Sequence, residues 1–431
     1  MNAERAALSA AAQALSSSSG NVLEGVPSDA IGGIIPSFVA SPASTQQAAE
    51  VLQIAAAHQL AVVPRGAGTG LTWGAAPSRC DLVVDLREMD QVLEHASGDL
   101  VARVQAGATV GHLASVLSHA GQELAIDAPA QATVGGVVAT GTAGPRRLRY
   151  GTPRDLLIGV TVVRADGVVA HSGGRVVKNV AGYDLGKLLA GSQGTLGLIT
   201  EATFRLHPVP AAVAYVTGDF PPTGAGRAGA AAAVGSAAGS ALVPSAVELD
   251  RPGGPAGAPR TLRVGVLLEG TDSGVAERAK QMSELLATAP GSPAVTVSDT
   301  PPARWGQLPS GGVIVRVSFW VSALGEVLEA VIAAGADTGV GPALTGSAGA
   351  GLLYACLDPA SEADAAGRFV TGLRERLAPL NASGPRASAV VLSGATGAPA
   401  YGTVPGAALM HAVKDQFDPD HRMFPGRLAA G

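Results

Sequence analysis

Three clusters of glycine and other small residues, set in order along one stretch of chain, constrain the fold more than any other feature. Pro64–Leu71 reads PRGAGTGL, Ala132–Gly144 reads ATVGGVVATGTAG, and Lys178–Thr200 reads KNVAGYDLGKLLAGSQGTLGLIT. The first follows an apolar strand and has Gly at every second position. Such spacing tolerates positive φ and lets backbone N–H groups converge on an anion with no Cβ in the way. In the second, Gly135-Gly136 followed by Ala139, Gly141 and Gly144 describes backbone that closely approaches something large and flat. Turns alone are a poor explanation for three such clusters in one domain.

These glycines are not the mark of a flexible polymer. Of 431 residues 58 are Gly, yet no G-X-Y period runs through them, which excludes collagen. A hydrophobic content of 47% lets the chain bury enough surface to offset its ordering entropy. The net charge of −5, with no block of Lys or Arg, does not offer the positive surface that nucleic acid needs. Cys80 and Cys356 are too few for a disulfide framework or a thiolate zinc site. They fit a reducing cytoplasm, where the chain is expected, with any membrane association made through partner subunits. The first residues read as a short helix and linker and not as a secretion signal, and no apolar run is long enough for a direct membrane span.

The length suggests two or three domains. Residues 1–33 read as a helix and linker. From Ile34 onward, Ser44 and Thr45 cap a helix to His58, and strands follow at Leu60–Val63, Leu82–Leu86 and Leu100–Val104. A helix over Thr109–His119 and a hairpin turning at Asp166-Gly167 come next. A helix near Asp184–Ala190 and a strand over Leu198–Leu206 complete a domain over 34–210, closed by Pro208 and Pro210. Strands and helices alternate again from Leu262 to Leu392, predicting a second α+β domain over 211–400 and a terminal segment, 401–431. Thr223–Ala241 and Arg251–Pro259, rich in Ala, Gly and Pro, read as loops or weakly specified helix. No internal repeat is visible.

Two rival phosphate loops fit badly. A P-loop needs Gly-Lys before Ser or Thr, and the chain has no such Lys. The dinucleotide fingerprint needs a helix directly after its glycines, but Leu71–Cys80 contains Gly74 and Pro77 and shows no helical period. For the loop at Pro64–Leu71 alone, a pyrophosphate cradle beside the charge of Arg65 and an ordinary strand-to-loop turn both stay open.

Taken together, the clusters resemble the FAD-binding domain of the vanillyl-alcohol oxidase and p-cresol methylhydroxylase superfamily. Within it the chain is similar to the FAD-binding subunit of bacterial glycolate oxidases. The resemblance covers Ile34–Pro210 and, more loosely, the terminal DPDHRMFPGR, where the family has Asp-Pro and then Asn-Pro-Gly-Arg. It implies an α+β fold, with a two-subdomain FAD-binding domain, a smaller ferredoxin-like second domain and a C-terminal segment returning toward the flavin. By the same carry-over, backbone amides of Arg65, Gly66, Ala67, Gly68, Thr69, Gly70 and Leu71 hold the pyrophosphate, and Pro64, which opens the loop, also lies against the cofactor. Thr133, Gly135, Gly136, Ala139, Gly141 and Gly144 lie along the ribityl chain and isoalloxazine, with Tyr150, Gly151 and Asp155 beside them. Gly194, Thr195, Gly197 and Ile199 reach the adenosine side, and Arg427 points at flavin or substrate or joins a rim salt bridge.

Two departures bear on mechanism. The loop continues Thr69-Gly70-Leu71-Thr72 with no His, Cys or Tyr suited to a covalent bond, so the FAD is expected to be non-covalent. The stretch Gly346–Leu357 lacks the His-rich Gly-Asp-Gly-Asn motif of metal-assisted 2-hydroxy-acid dehydrogenases, so no metal is expected. The eight histidines form no ligand cluster. Arg316, Lys178, Tyr183, Arg422 and Arg427 are candidates for the chemistry by residue type only, and no catalytic residue is assigned.

The resemblance therefore implies an FAD-dependent oxidoreductase subunit handling electrons from a 2-hydroxy acid such as glycolate or lactate. Its expected partners are a second flavoprotein subunit and an iron–sulfur subunit, since two cysteines cannot ligate such clusters in this chain. The alternatives are a stand-alone FAD-linked oxidase of another alcohol and a flavin-binding structural subunit without turnover.

Overall fold

The computed structural model describes residues 2–18, 21–174, 184–255, 257–291, 293–307, 312–382, 384, 386–394 and 396–428. Its backbone divides into two units. Met1–Ala143, Thr152–Val209 and Gly406–Gly431 form the first; Gly144–Gly151 and Pro210–Pro405 form the second. Among the described residues no helix is long and apolar enough to cross a membrane.

In the first unit, strands Phe38–Ala40, Leu82–Asp85 and Val62–Arg65 pair in parallel, with Val22–Glu24 antiparallel at one edge. Helix Thr45–Ala57 makes the crossover that parallel pairing demands. Ser44 caps it by accepting from Gln47 N, and Val51, Leu52 and Ala55 bury its inner face. Strand Val62–Arg65 is buried at its start and ends at Arg65, so the first glycine cluster begins at its carboxyl end. A second, antiparallel sheet runs in the order Val92–Ala96, Val101–Gln105, Leu198–Arg205, Leu157–Val163, Val169–Gly173. Gly167, at φ +81°, turns the last hairpin.

The second unit corrects one expectation and decides between two alternatives in another. It is one eight-stranded antiparallel sheet, in which two successive strand–helix–strand–strand–helix–strand modules lie side by side. The first module uses strands Ala212–Phe220, Ala246–Arg251, Leu262–Gly270 and Ala294–Ser298; the second uses Ile314–Phe319, Ala343–Gly346, Leu352–Cys356 and Ala387–Ser393. Each has the spatial order fourth, first, third, second, and the two second strands pair through Leu249–Gly346 and Arg251–Leu344. A repeat therefore exists although no repeated sequence announces it. Thr223–Ala241 is also more ordered than its composition suggests: Gly224–Ala238 is a helix capped by Thr223, buried through Ala230, Ala233, Val234 and Ala237.

Strand alternation decides what each sheet face carries. Val247, Leu249, Val264, Val266, Val315, Val317, Leu353 and Ala355 pack with the helices in one core. The residues between them, Glu248, Asp250, Arg263, Glu269, Arg316 and Tyr354, fall on the opposite face. Both cysteines are buried, and burial pushes each thiol up to about 12. Neither is a ready thiolate at neutral pH. The native chain is expected to resist a disulfide reagent at mildly alkaline pH and to react at both thiols once unfolded. Rapid labelling of the native chain would contradict this placement.

Candidate functional site

The glycine loop is built from its anchors inward. Arg65 does not serve as the expected free charge beside an anion. Its guanidinium donates to Asp29 at 2.8 Å and Asp85 at 3.0 Å. The bond from Arg65 holds the Asp29 carboxyl below its usual range. Burial works to raise Asp85, but Arg87 and Arg65 outweigh it and keep this carboxyl low as well. With its charge answered twice, Arg65 positions the loop.

The loop then passes against helix Val134–Thr140, which the second cluster forms. Thr133 caps that helix, and Gly141, at φ +66°, ends it. A Cβ at Gly66 would lie 2.1 Å from Thr133 Oγ1, and one at Gly70 would lie 2.8 Å from Thr140 Cγ2. On the helix's other side, Gly135 N donates to Ala106 O at 2.8 Å, and a Cβ at Gly135 would lie 2.7 Å from Ala106 Cβ. The third cluster joins through Gln193 N, donating to Ala139 O at 2.7 Å.

These elements enclose a depression of about 710 Å³, open solvent at its mouth included. Pro64, Arg65, Gly66, Ala67, Gly68, Thr69, Gly70 and Leu71 line it, with Thr133, Gly135, Gly136, Ala139, Gly194, Gly197, Ile199 and Arg427. Leu86, Ala106, Thr140, Gln193, Leu198 and Phe424 complete the wall. Thr140, Gln193, Leu198 and Phe424 lie in segments that the sequence singles out, though not as site residues. Leu86 and Ala106 carry no signal at all, because nothing local distinguishes an apolar residue facing a ligand from one facing the core. A glycine-lined stretch of amides beside apolar walls suits a ligand with a phosphate linker between flat ring systems. Glycine at 66 and 70 lets the loop pack directly on Thr133 and Thr140, which holds its amides at the wall of the depression, an arrangement in favour of FAD.

The terminal segment supplies part of this wall. Met423 bridges Val62 in parallel, and Phe424 N donates to Val62 O at 2.8 Å. Arg427, buried and stacked at 4.4 Å from the Phe424 ring centroid, donates to the carbonyls of Ala75 at 2.8 Å, Gly70 at 3.1 Å and Leu71 at 3.3 Å. It ties down the far end of the glycine loop. Arg422 is likewise engaged, donating to Ala165 O at 2.5 Å. The segment is fastened by a pair that sequence reasoning missed. Buried Lys414 donates to Asp418, Thr195 O and Met423 O, while Asp418 also accepts from Met423 N. Burial pushes the Lys414 ammonium below its usual range, although Asp418 opposes the shift.

Six expected residues lie outside the wall. Gly141 is the helix cap, and Thr195 donates to Ser192 O at 2.7 Å. Asp155 is raised by burial, yet two 2.8 Å bonds from Thr152 hold its carboxyl low. Gly144, Tyr150 and Gly151 belong to the second unit. There the Tyr150 hydroxyl donates to Glu269 at 3.1 Å, and Arg146 pairs with Glu269 at 3.5 Å. Lys178 and Tyr183 lie outside the described residues.

The second unit holds a separate polar group. Arg316 faces Tyr354 across neighbouring strands, and Ser347 Oγ donates to buried Glu248 at 2.6 Å. Burial pushes the Tyr354 phenol up, an effect that Arg147 and Arg316 oppose. Among the described residues no group of three His, Cys, Asp or Glu side chains is placed to hold a metal ion.

Comparison with known proteins agrees with this geometry. Residues 36–173 match the family model described as FAD binding domain. The glycolate oxidase subunit GlcD of Bacillus subtilis is 35% identical over 178 residues, 41% of this chain and 38% of that protein. A probable mitochondrial D-lactate dehydrogenase of Danio rerio is 36% identical over 43% of this chain and 38% of its own length. The matched stretch therefore spans well under half of either relative. The solved structure of p-cresol methylhydroxylase with substrate bound superposes with a TM-score of 0.77 at 18% identity, covering 98% of this chain and 96% of that one.

Proposed function

We propose that this chain, whose residues 36–173 are an FAD-binding domain on a p-cresol methylhydroxylase-type fold, is an FAD-dependent oxidoreductase subunit for a small 2-hydroxy acid such as glycolate or lactate. One observation carries the reading. The loop at Pro64–Leu71, the helix Val134–Thr140 with its cap Thr133 and the turn at Gln193–Gly197 converge on one depression, in a chain similar to proteins named for 2-hydroxy acids.

Backbone amides from Gly66 to Leu71 would receive the pyrophosphate, since Arg65 and Arg427 spend their charge on loop anchoring. Gly135, Gly136 and Ala139 present a wall without bulky side chains to a flat ring. None of the described lining residues is His, Cys or Tyr, which supports a non-covalent flavin. Bound FAD supplies a two-electron acceptor for hydride. Oxidation of a 2-hydroxy acid also asks for a cation toward the carboxylate and a proton acceptor near the hydroxyl. We assign neither role to a residue. The Bacillus subtilis relative belongs to a multisubunit enzyme by name, and this chain's two buried cysteines cannot hold iron–sulfur clusters. We therefore assign electron transfer beyond the flavin to partners, a second flavoprotein and an iron–sulfur subunit.

Anaerobic glycolate or lactate is expected to bleach the visible flavin spectrum of the chain purified with its partners. Bleaching of the isolated chain as well would place turnover within it. A flavin that dithionite reduces but neither acid does, even in the assembly, would overturn the reading.

A further inference from the structure

Apart from the flavin depression, the helix-covered side of the second unit contains a cavity of about 650 Å³, open solvent again included. Three arginines line it. Arg227 stands in the first turn of helix Gly224–Ala238, Arg251 ends strand Ala246–Arg251, and Arg260 just precedes strand Leu262–Gly270. Pro342, Ile332 and Ala336 form the apolar part of the wall. Among the described lining residues there is no Asp or Glu.

The charge arithmetic around Arg251 is unusual. Arg227 is answered by Glu329, at 2.5 Å from Nε and 3.2 Å from Nη2. Arg251, only 8% exposed, donates to Pro342 O at 2.8 Å. Burial lowers its proton affinity, and the charges acting on it are the like charges of Arg260 and Arg227. Arg260 donates from Nη2 to Pro255 O at 3.2 Å, while its buried Nη1 has no hydrogen-bond partner. Asp250, the carboxylate beside Arg251 in sequence, points to the other sheet face by strand alternation and pairs with Arg304. Three guanidiniums against one carboxylate leave two positive charges uncompensated. Of the two, Arg251 is the buried one, and its charge is costly unless something pairs with it.

The cavity is also built, not incidental. Gly254, at φ +145°, lets Arg260 lie on its backbone: a Cβ there would sit 2.3 Å from Nη2. Gly254 N donates to Gly341 O at 3.0 Å, and a Cβ at Gly341 would reach 1.9 Å from Gly254 O. The glycine-rich loop is thereby pinned to the segment that holds Arg251.

We propose that Arg227, Arg251 and Arg260 form a binding site for a compact, doubly negative oxyanion: inorganic phosphate or the phosphate group of a phosphomonoester. Guanidinium forks match tetrahedral oxyanions and form the stronger, charge-assisted hydrogen bonds. The site shares no residue with the flavin depression and does not rest on the flavin reading.

The test titrates inorganic phosphate, and separately phenyl phosphate, into the FAD-loaded chain by calorimetry at constant ionic strength. Loading keeps the flavin's own phosphate cradle occupied. Saturable one-to-one uptake is expected, competed by sulfate and not by chloride. Arg260→Gln and Arg251→Lys are each expected to weaken it by about ten-fold or more, the effect of one lost charged hydrogen bond. Arg263→Gln, on the opposite sheet face, leaves uptake unchanged, and no variant alters the flavin spectrum. Uptake of both ligands supports a free-phosphate site; uptake of phenyl phosphate alone supports a phosphomonoester site. If Arg251→Lys does not fold, the half-buried Arg260→Gln decides alone. No saturable uptake, equal loss with Arg263→Gln, or competition by chloride would show an adventitious ion only and overturn the proposal.

Discussion

The Gly66→Ala variant is expected to purify folded but colourless. The added methyl would fall 2.1 Å from Thr133 Oγ1 and 3.0 Å from its Cβ and Cγ2, with the loop held on one side by the Arg65 clamp. Neither neighbour yields cheaply, because Thr133 is also the cap that accepts from Gly136 N. The loop moves instead, and the amides that would face the pyrophosphate move with it. Loss of two charge-assisted bonds, at about 1.5–3 kcal/mol each, weakens FAD by at least about a hundred-fold. Flavin absorbance retained after gel filtration, and a fluorescence titration, measure this. Adding Thr133→Gly removes all three clashing atoms and costs only a few tenths of a kcal/mol in capping, so the double variant recovers part of the affinity. Wild-type flavin content in Gly66→Ala would refute the cradle.

The second large effect concerns stability. Lys414→Ala strips the ion partner from Asp418, whose side chain is wholly buried. Breaking such a pair from one side costs about 3–5 kcal/mol, because the remaining charge stays desolvated and alone. The carbonyls of Thr195 and Met423 lose their donor at the same time. The double change Lys414→Met with Asp418→Leu removes both charges together and is expected to be far milder. Urea unfolding of the three proteins, with proteolysis at the C-terminal segment as a local reporter, separates them. A single variant as stable as wild type would mean that the pair does not fasten the segment that brings Phe424 and Arg427 to the depression.

The glycines show how far residue type can be read. Those between Gly66 and Gly197 announce close approach, and the structure has Gly66, Gly70 and Gly135 in contact with a neighbouring element. Those between Gly224 and Gly257 show no pattern, yet Gly226 and Gly229 would put a Cβ within 2.0 Å and 1.7 Å of the Pro221 and Pro290 carbonyls. That helix is hard to see because its faces, built of Ala and Gly, differ little in hydrophobicity, which is the contrast that periodicity relies on. The duplicated module stays hidden for a related reason. Its helices GAGRAGAAAAVGSAA and LGEVLEAVIAAGADT fill corresponding places with different residues.

By itself, then, the sequence determined the α+β class, the stretch that matches an FAD binding domain and the segments that line its depression. Backbone that must approach a ligand needs glycine at that very position, and such a requirement is local. Tertiary structure alone decided how charge is used. Arg65 is claimed by Asp29 and Asp85, Arg427 by the loop carbonyls, and Lys414 by Asp418, while Arg227, Arg251 and Arg260 gather where one carboxylate answers three cations. Whether a charged side chain is an anchor or a binding group depends on what arrives beside it in space, and no spacing along the chain encodes that.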